Sequence, residues 1–306
     1  MQKPKRLQKG DTVGVIAPAS PPDLTNLSNA LPFLHSLGLN VMIGPNVKRT
    51  YGYLAGTDRE RVNDLHQMFR DPAIKGIFCA GGGYGTSRLA ASIDYNMIRR
   101  NPKVFWGYSD ITFLHTAIQR QADLVTFHGP MLSSDVGKPD FDDRSKQRFT
   151  QLFHPETFTY TNETSPLQVI SRGTASGRLV GGNLSLLVNS IGSPYEIDTK
   201  NRLLLIEDVG EEPYRIDSFL SQLKLAGKLD EASGIVVGDF SETEPKKKKE
   251  TIELQEVFRH YFADLQKPVL SGFRIGHCLP HYAVPLGVEA ELCSSAKYLR
   301  IAAGVQ

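Results

Sequence analysis

The stretch Val104-Phe105-Trp106-Gly107-Tyr108-Ser109-Asp110-Ile111-Thr112 limits the fold more than any other part of this sequence. Val104 to Trp106 is a short apolar run and reads as a buried strand. Beyond it Ile111, Leu114 and Ile118 recur at helical spacing, with Ala117 alongside. Only a sharp turn fits between strand and helix, and Ser109 sits on it. Such a turn lifts a hydroxyl clear of the sheet edge and points the first N–H groups of the helix at whatever lies beside it. Ser109 is then either a cap for the helix, with Asp110 favouring the dipole, or a nucleophile. The pattern departs from Gly-x-Ser-x-Gly, because Ile111 stands where the final glycine would be. The turn alone does not choose between the two roles.

The same alternation of strand and helix continues on the N-terminal side. Strands are expected at Asp11 to Ala17, Leu39 to Ile43 and Ile74 to Ala80. Helices are expected around Leu27 to Leu34, ended by Gly38, and over Asp58 to Phe69. This order predicts a parallel, Rossmann-like sheet with helices on both faces and a site beyond the carboxyl ends of its strands. From about Asp135 to Ser171 the text changes, with a charged stretch at Asp140 to Arg148 and a Thr-rich one at Thr157 to Thr164 that shows little strand or helix pattern. The expected organisation is an α/β N-terminal domain over 1–150, a linker over 151–170 and a mixed α/β C-terminal domain over 171–306. The second domain has its own apolar runs at Gly177 to Val180, Leu203 to Ile206, Ile216 to Leu225, Gly234 to Val237 and Val269 to Phe273.

Composition narrows the partners. With 306 residues, a charged share of 22% and a net charge of +2, nothing calls for nucleic acid or an anionic membrane. The basic run Lys246 to Lys249 is flanked by Glu242, Glu244 and Glu250 and reads as a solvated loop. No apolar stretch is long enough to span a bilayer, and the run after the basic N-terminus is too short for a signal-peptide core. Three widely spaced cysteines, Cys79, Cys278 and Cys293, do not make a disulfide framework. A cytoplasmic protein is expected.

Three further features carry chemistry. Gly81-Gly82-Gly83-Tyr84-Gly85 follows a strand, but lacks both the Gly-Lys-Ser/Thr ending of a phosphate loop and the G-x-G-x-x-G spacing of a dinucleotide turn. It is a tight turn, or a backbone that comes close to a ligand as an oxyanion hole does. Leu203 to Ile206 is a strand buried on both faces and runs into Glu207 and Asp208; Glu211, Glu212, Arg215 and Asp217 follow, so ion pairing and catalysis both account for the acids. His277 and His281 stand four apart around Cys278, but Pro280 interrupts any helix and the Glu of H-E-x-x-H is absent, so a general base fits better than a zinc site. In chain order Ser109, Glu207 and His277 make a coherent triad.

Taken together, these residues are similar to those of the LD-carboxypeptidases (muramoyltetrapeptide carboxypeptidases), serine peptidases related to the microcin-immunity peptidases. The likeness runs through Gly10-Asp11-x-Val13, Leu54-Ala55-Gly56-Thr57-Asp58, Gly82-Gly83-Tyr84-Gly85, Gly107-Tyr108-Ser109-Asp110 and His128-Gly129-Pro130. It continues in Gly181-Gly182-Asn183, Glu207-Asp208-Val209-Gly210-Glu211, Pro213-Tyr214-Arg215-Ile216-Asp217, Gly276-His277 and Pro285-Leu286-Gly287. The resemblance implies Ser109 as nucleophile, Glu207 as triad carboxylate, His277 as base, and an oxyanion hole from the N–H groups of Asp110 and Gly83. It also implies an active site between two domains, and members of the family are often homodimers. Gly82, Tyr84, Arg88 and Arg215 are candidate substrate contacts. Two positions depart from the family: Gly81 and Ser218 stand where arginine is common, which bears on how substrate carboxylates are held.

The expected activity is release of terminal D-alanine from a muropeptide tetrapeptide, in cell-wall recycling, with no metal and no organic cofactor. Two alternatives stand beside it. One is an amidase of the microcin-immunity type acting on acyl-aminoacyl nucleotide conjugates; the other is a muropeptide-binding protein without catalysis. A one-domain α/β-hydrolase has the same Ser, Glu, His order, but the change of text before Ser171 and the missing glycine after Ser109 count against it.

Overall fold

A computed structural model describes residues 1–245 and 250–306. The basic run Lys246 to Lys249 lies outside the described residues. Two sheets organise the chain. The first is built from β1 (Thr12–Ile16), β2 (Asn40–Ile43), β3 (Ile74–Cys79), β4 (Val104–Gly107) and β5 (Thr126–His128). The second uses β6 (Phe158–Thr161), β7 (Gln168–Ser171), β8 (Thr174–Asn183), β9 (Arg202–Val209), β10 (Gly234–Ser241), β11 (Val269–Ser271), β13 (Glu289–Cys293) and β14 (Tyr298–Ile301). Between the last three, β12 (Val284–Leu286) crosses back to the first sheet.

In the first sheet the order is β2-β1-β3-β4-β5, all parallel, with β12 antiparallel at the β5 edge. Strand order reverses between β1 and β3, the point at which doubly wound sheets open a crevice beyond their carboxyl ends. Buried residues alternate along its strands. Val13, Val15, Phe78 and Trp106 pack with α1 (Leu24–Ser36) on one face; Ile77, Cys79 and Phe105 pack with α2 (Asp58–Arg70), α3 (Tyr95–Arg100) and α4 (Thr112–Ala122) on the other.

The second sheet runs β6-β14-β13-β8-β9-β10-β11-β7, parallel from β8 to β11 and antiparallel outside that. Its Leu203 and Leu205 share a core with Val13, Trp106 and Phe127 of the first sheet, while Leu204 and Ile206 pack under the helix Pro213–Leu225. One apolar layer thus joins the two sheets. The Thr-rich stretch that shows no clear strand pattern contains β6, and β7 follows it closely. They are the two outer strands of the second sheet, four residues each and half open to solvent, and such short edges carry little alternation. Among the described residues no helix is long and apolar enough to cross a membrane.

Candidate active site

Ser109 follows β4 at the start of a 3-10 turn, Ser109–Ile111, that runs into α4. Its φ is +60°, a left-handed conformation that costs a non-glycine residue roughly 1 kcal/mol or more and persists only when its surroundings impose it. Those surroundings are specific. Buried His115, one turn along α4, lies with Nε2 2.8 Å from the Gly107 carbonyl. Burial pushes its imidazole down to about 3, so it is neutral and donates. Tyr108 donates its hydroxyl to Asp135 at 2.9 Å, and the other Asp135 oxygen accepts from the Met131 N–H at 2.8 Å. Burial raises the Asp135 carboxyl against both bonds.

The glycine turn is tied to the same place. The Thr86 N–H donates to the Asp110 carboxylate at 2.9 Å and the Thr86 hydroxyl to the Asp110 carbonyl at 2.6 Å. Ser20, from the turn after β1, donates its N–H to the Gly82 carbonyl and accepts from the Tyr84 N–H. Buried Arg61 of α2 donates to the carbonyls of Pro18 and Gly85, joining the two turns from behind. Asp110 and Gly83 therefore sit on turns that are fixed to one another.

Glu207 and Asp208 both lie inside β9, whose last residue is Val209. Strand alternation sends them to opposite faces. Glu207 follows Leu203 and Leu205 toward the first sheet and is fully buried. Asp208 turns away and accepts from Asn183 Nδ2 and the N–H groups of Ser185 and Val209. His277 lies between β11 and β12. Gly276, at φ +130°, lets that chain pass close to Glu207, since a Cβ there would stand 2.7 Å from Oε2.

The three expected residues meet. The Ser109 hydroxyl is 3.1 Å from His277 Nε2, and His277 Nδ1 is 2.7 Å from Glu207 Oε2. Burial by itself would raise the Glu207 carboxyl, but the charge of His277, the hydrogen bond it makes and the nearby His128 ring outweigh it and hold it at about 2. Burial lowers the His277 imidazole, and Glu207 beside it more than compensates, so its pKa is raised. With Glu207 ionised, neutral His277 carries its proton on Nδ1 and presents Nε2 to Ser109 as an acceptor.

A cleft of about 730 Å³ opens over Ser109. It is lined by Ser20, Gly81, Gly82 and Gly83 from the first sheet's turns and by Val209, Ser241, His277 and Cys278 from the later part of the chain. Ser133, Ser134, Asp135 and Lys138 also line it. Three sequence candidates stand elsewhere. Tyr84 is half exposed against Tyr53, Arg88 is paired with Asp58 at 2.9 Å, and Arg215 lies beside Glu211 at 3.4 Å and over the Phe219 ring. None of them lines the cleft. Among the described lining residues the one lysine or arginine is Lys138, which lies just ahead of the charged stretch, in the part of the chain expected to be a domain junction. Among the described residues no group of three or more His, Cys, Asp or Glu is placed to hold a metal ion.

A serine on a strained strand-to-helix turn, aligned with a histidine and a buried carboxylate beneath an open cleft, defines a serine hydrolase. Comparison with known proteins narrows the class. Residues 13–129 match the family described as LD-carboxypeptidase N-terminal domain, and residues 176–292 that described as LD-carboxypeptidase C-terminal domain. The chain belongs to the LD-carboxypeptidase family and is a serine-type carboxypeptidase. It is 55% identical to the probable murein peptide carboxypeptidase of Bacillus subtilis over 99% of this chain and 95% of that one. The solved structure of a muramoyltetrapeptide carboxypeptidase from Oxalobacter formigenes superposes with a TM-score of 0.85 at 27% identity, covering 95% of this chain and 97% of that one. The microcin self-immunity protein MccF of Escherichia coli is 28% identical over 96% of this chain and 94% of that one.

Proposed function

We propose that this protein releases terminal D-alanine from muropeptide tetrapeptides by hydrolysing the bond between an L-centre and the D-residue, as a cytoplasmic step of cell-wall recycling. The observation that carries this reading is the unbroken line from Ser109 Oγ through His277 to Glu207, at 3.1 and 2.7 Å, on the floor of a cleft wide enough for a short peptide.

In this reading Ser109 Oγ attacks the scissile carbonyl while its proton passes to His277 Nε2. Glu207 keeps the imidazole in the reactive tautomer and stabilises its cation. The N–H groups of Asp110 and Gly83 receive the oxyanion, and their two turns need no rearrangement because Thr86 and Ser20 already fix them. His277 then protonates the leaving amine, D-alanine departs, and water attacks the acyl-serine by the same route in reverse. A carboxypeptidase must also hold the free carboxylate of the departing residue, and Lys138 is the lining cation available for it. Placement of that carboxylate leaves an ordinary L-residue misaligned with Ser109. No metal or cofactor enters the scheme.

The test is mass spectrometry of a muropeptide tetrapeptide and its L-Ala-ended isomer, each incubated with the wild type and with Ser109→Ala. Loss of D-alanine from the first substrate with wild type alone is the expected result. Turnover by Ser109→Ala removes the nucleophile from the scheme. Absence of cleavage of either substrate overturns the proposal in favour of the conjugate amidase or the non-catalytic binder, which an acyl-aminoacyl nucleotide conjugate then tells apart.

A further inference from the structure

The scheme uses one oxygen of Glu207 and leaves the other unexplained. Oε1 is buried and has no hydrogen-bond partner among the described residues, and neither ring nitrogen of the fully buried His128 has one. The two groups face each other, His128 Nε2 standing 3.6 Å from Glu207 Oε1. That is longer than a hydrogen bond, yet an ionised oxygen and an N–H enclosed together have a strong mutual attraction and no competitor. A few tenths of an ångström of closure completes the contact, and catalytic hydrogen bonds are often long until substrate is bound.

The position of His128 in the fold is as telling as the distance. It ends β5, opposite Gly107 of β4 on one side and Val284 of β12 on the other. One neighbour strand thus leads to Ser109, and the other is the continuation of the segment that carries His277. Tyr108 and His281 meet its ring edge-on, at centroid distances of 5.5 and 5.4 Å, and fix its plane. Ser109 follows β4 and His128 ends β5, both strands of the first sheet; Glu207 belongs to the second, and His277 lies between β11 and β12. The first sheet therefore grips the acid–base pair at both ends.

We propose that His128 is a positioning residue of the triad, its Nε2–H directed at Glu207 Oε1 so that the carboxylate plane is held with Oε2 on His277 Nδ1. The contact acts through Glu207 and never meets the substrate. Without it the carboxylate is secured at one oxygen only and turns about its side-chain torsions, taking the imidazole out of line with Ser109. The proposal rests on the triad reading above, and its test separates the two.

Release of D-alanine from the tetrapeptide is measured for wild type, Ser109→Ala, His128→Phe and His128→Gln. Phenylalanine keeps a ring between Tyr108 and His281 but has no donor; glutamine returns an N–H near the place of Nε2. His128→Phe is expected to lose about tenfold to 100-fold in kcat with KM changed by less than about twofold, and His128→Gln to recover most of the loss. Full kcat in His128→Phe overturns the proposal, as does equal loss in both variants, which marks the imidazole as filler. Turnover by Ser109→Ala brings down the triad reading instead. Nitrogen NMR of the histidine rings in the intact wild type decides for His128 in every case. A proton on Nε2 whose shift responds to Glu207→Gln supports the contact; an Nδ1-protonated ring, or one indifferent to that change, refutes it.

Discussion

His277 Nδ1 lies 2.7 Å from Glu207 Oε2, although the two residues are 70 positions apart and only Glu207 lies within a strand of the second sheet. The pair is coupled in charge as well as in space. Burial lowers the imidazole, the Glu207 charge raises it by more, and the net pKa is above the ordinary 6.5. In the proposed mechanism His277 is the base and works only when unprotonated. Activity therefore rises with pH through that raised pKa, and the acid limb of kcat/KM has its midpoint on the alkaline side of 6.5. Glu207, held at about 2, stays ionised across the whole range. In Glu207→Gln the charge that raises His277 is gone, so the limb moves toward lower pH and kcat falls by about 100-fold to 10,000-fold. A pH–rate profile of both proteins checks this, and a limb that stays in place assigns it to another group.

Gly82 stands directly against Ser109, the proposed nucleophile. A Cβ at this position would lie 3.0 Å from Ser109 Cβ, 3.1 Å from its Oγ and 3.2 Å from Met131 Cε. These contacts are tight without being impossible, so Gly82→Ala folds and shifts Ser109 instead. The expected result is a kcat lower by about tenfold to 100-fold at nearly unchanged melting temperature. Wild-type kcat in this variant shows that the turn yields without moving the hydroxyl.

The difference between what was legible and what was not follows from range. Val104 to Thr112 can be read because strand, turn and helix are all local, and β4, the 3-10 turn and α4 appear there. The face of Glu207 was also within reach, since Leu203, Leu205 and Glu207 have the same parity along one strand. β6 and β7 were not, because they are short edge strands whose partners β14 and β11 come much later in the chain. His128 and Lys138 escaped for a related reason. His128-Gly129-Pro130 carries part of the family likeness, but no local pattern gives His128 or Lys138 a role, which appears only when β5 is laid beside β12 and when Lys138 joins the cleft lining.

Arg88 and Lys138 offer a direct comparison of a sequence candidate with a cleft residue. The Arg88 guanidinium is bound to Asp58, a solvent-exposed pair of the kind that contributes little. Arg88→Ala is expected to leave KM for the tetrapeptide within about twofold. Lys138→Ala is expected to raise KM by about tenfold with a smaller effect on kcat, the pattern of a lost binding contact. Amidating the terminal carboxylate of the substrate should remove the difference between Lys138→Ala and wild type. The opposite ranking of the two variants would place the carboxylate near the Tyr53 and Tyr84 side of the glycine turn.

Arg61 supports the site without entering it. Its guanidinium is fully buried, with Nη1 donating to the Pro18 carbonyl at 2.6 Å and to the Gly85 carbonyl at 3.0 Å, and Nη2 meeting Asp58 at 2.6 Å. Arg61→Leu fills part of the space but leaves the buried Pro18 and Gly85 carbonyls without their donor, while Asp58 keeps Arg88. Leaving buried acceptors without a donor costs about 1–3 kcal/mol. The same change frees the turns that carry Ser20 and Gly83, so the variant should lose activity at temperatures where circular dichroism still reports a folded chain. Loss of activity and of fold at one common temperature would confine Arg61 to general stability and detach it from the geometry of the proposed oxyanion turn.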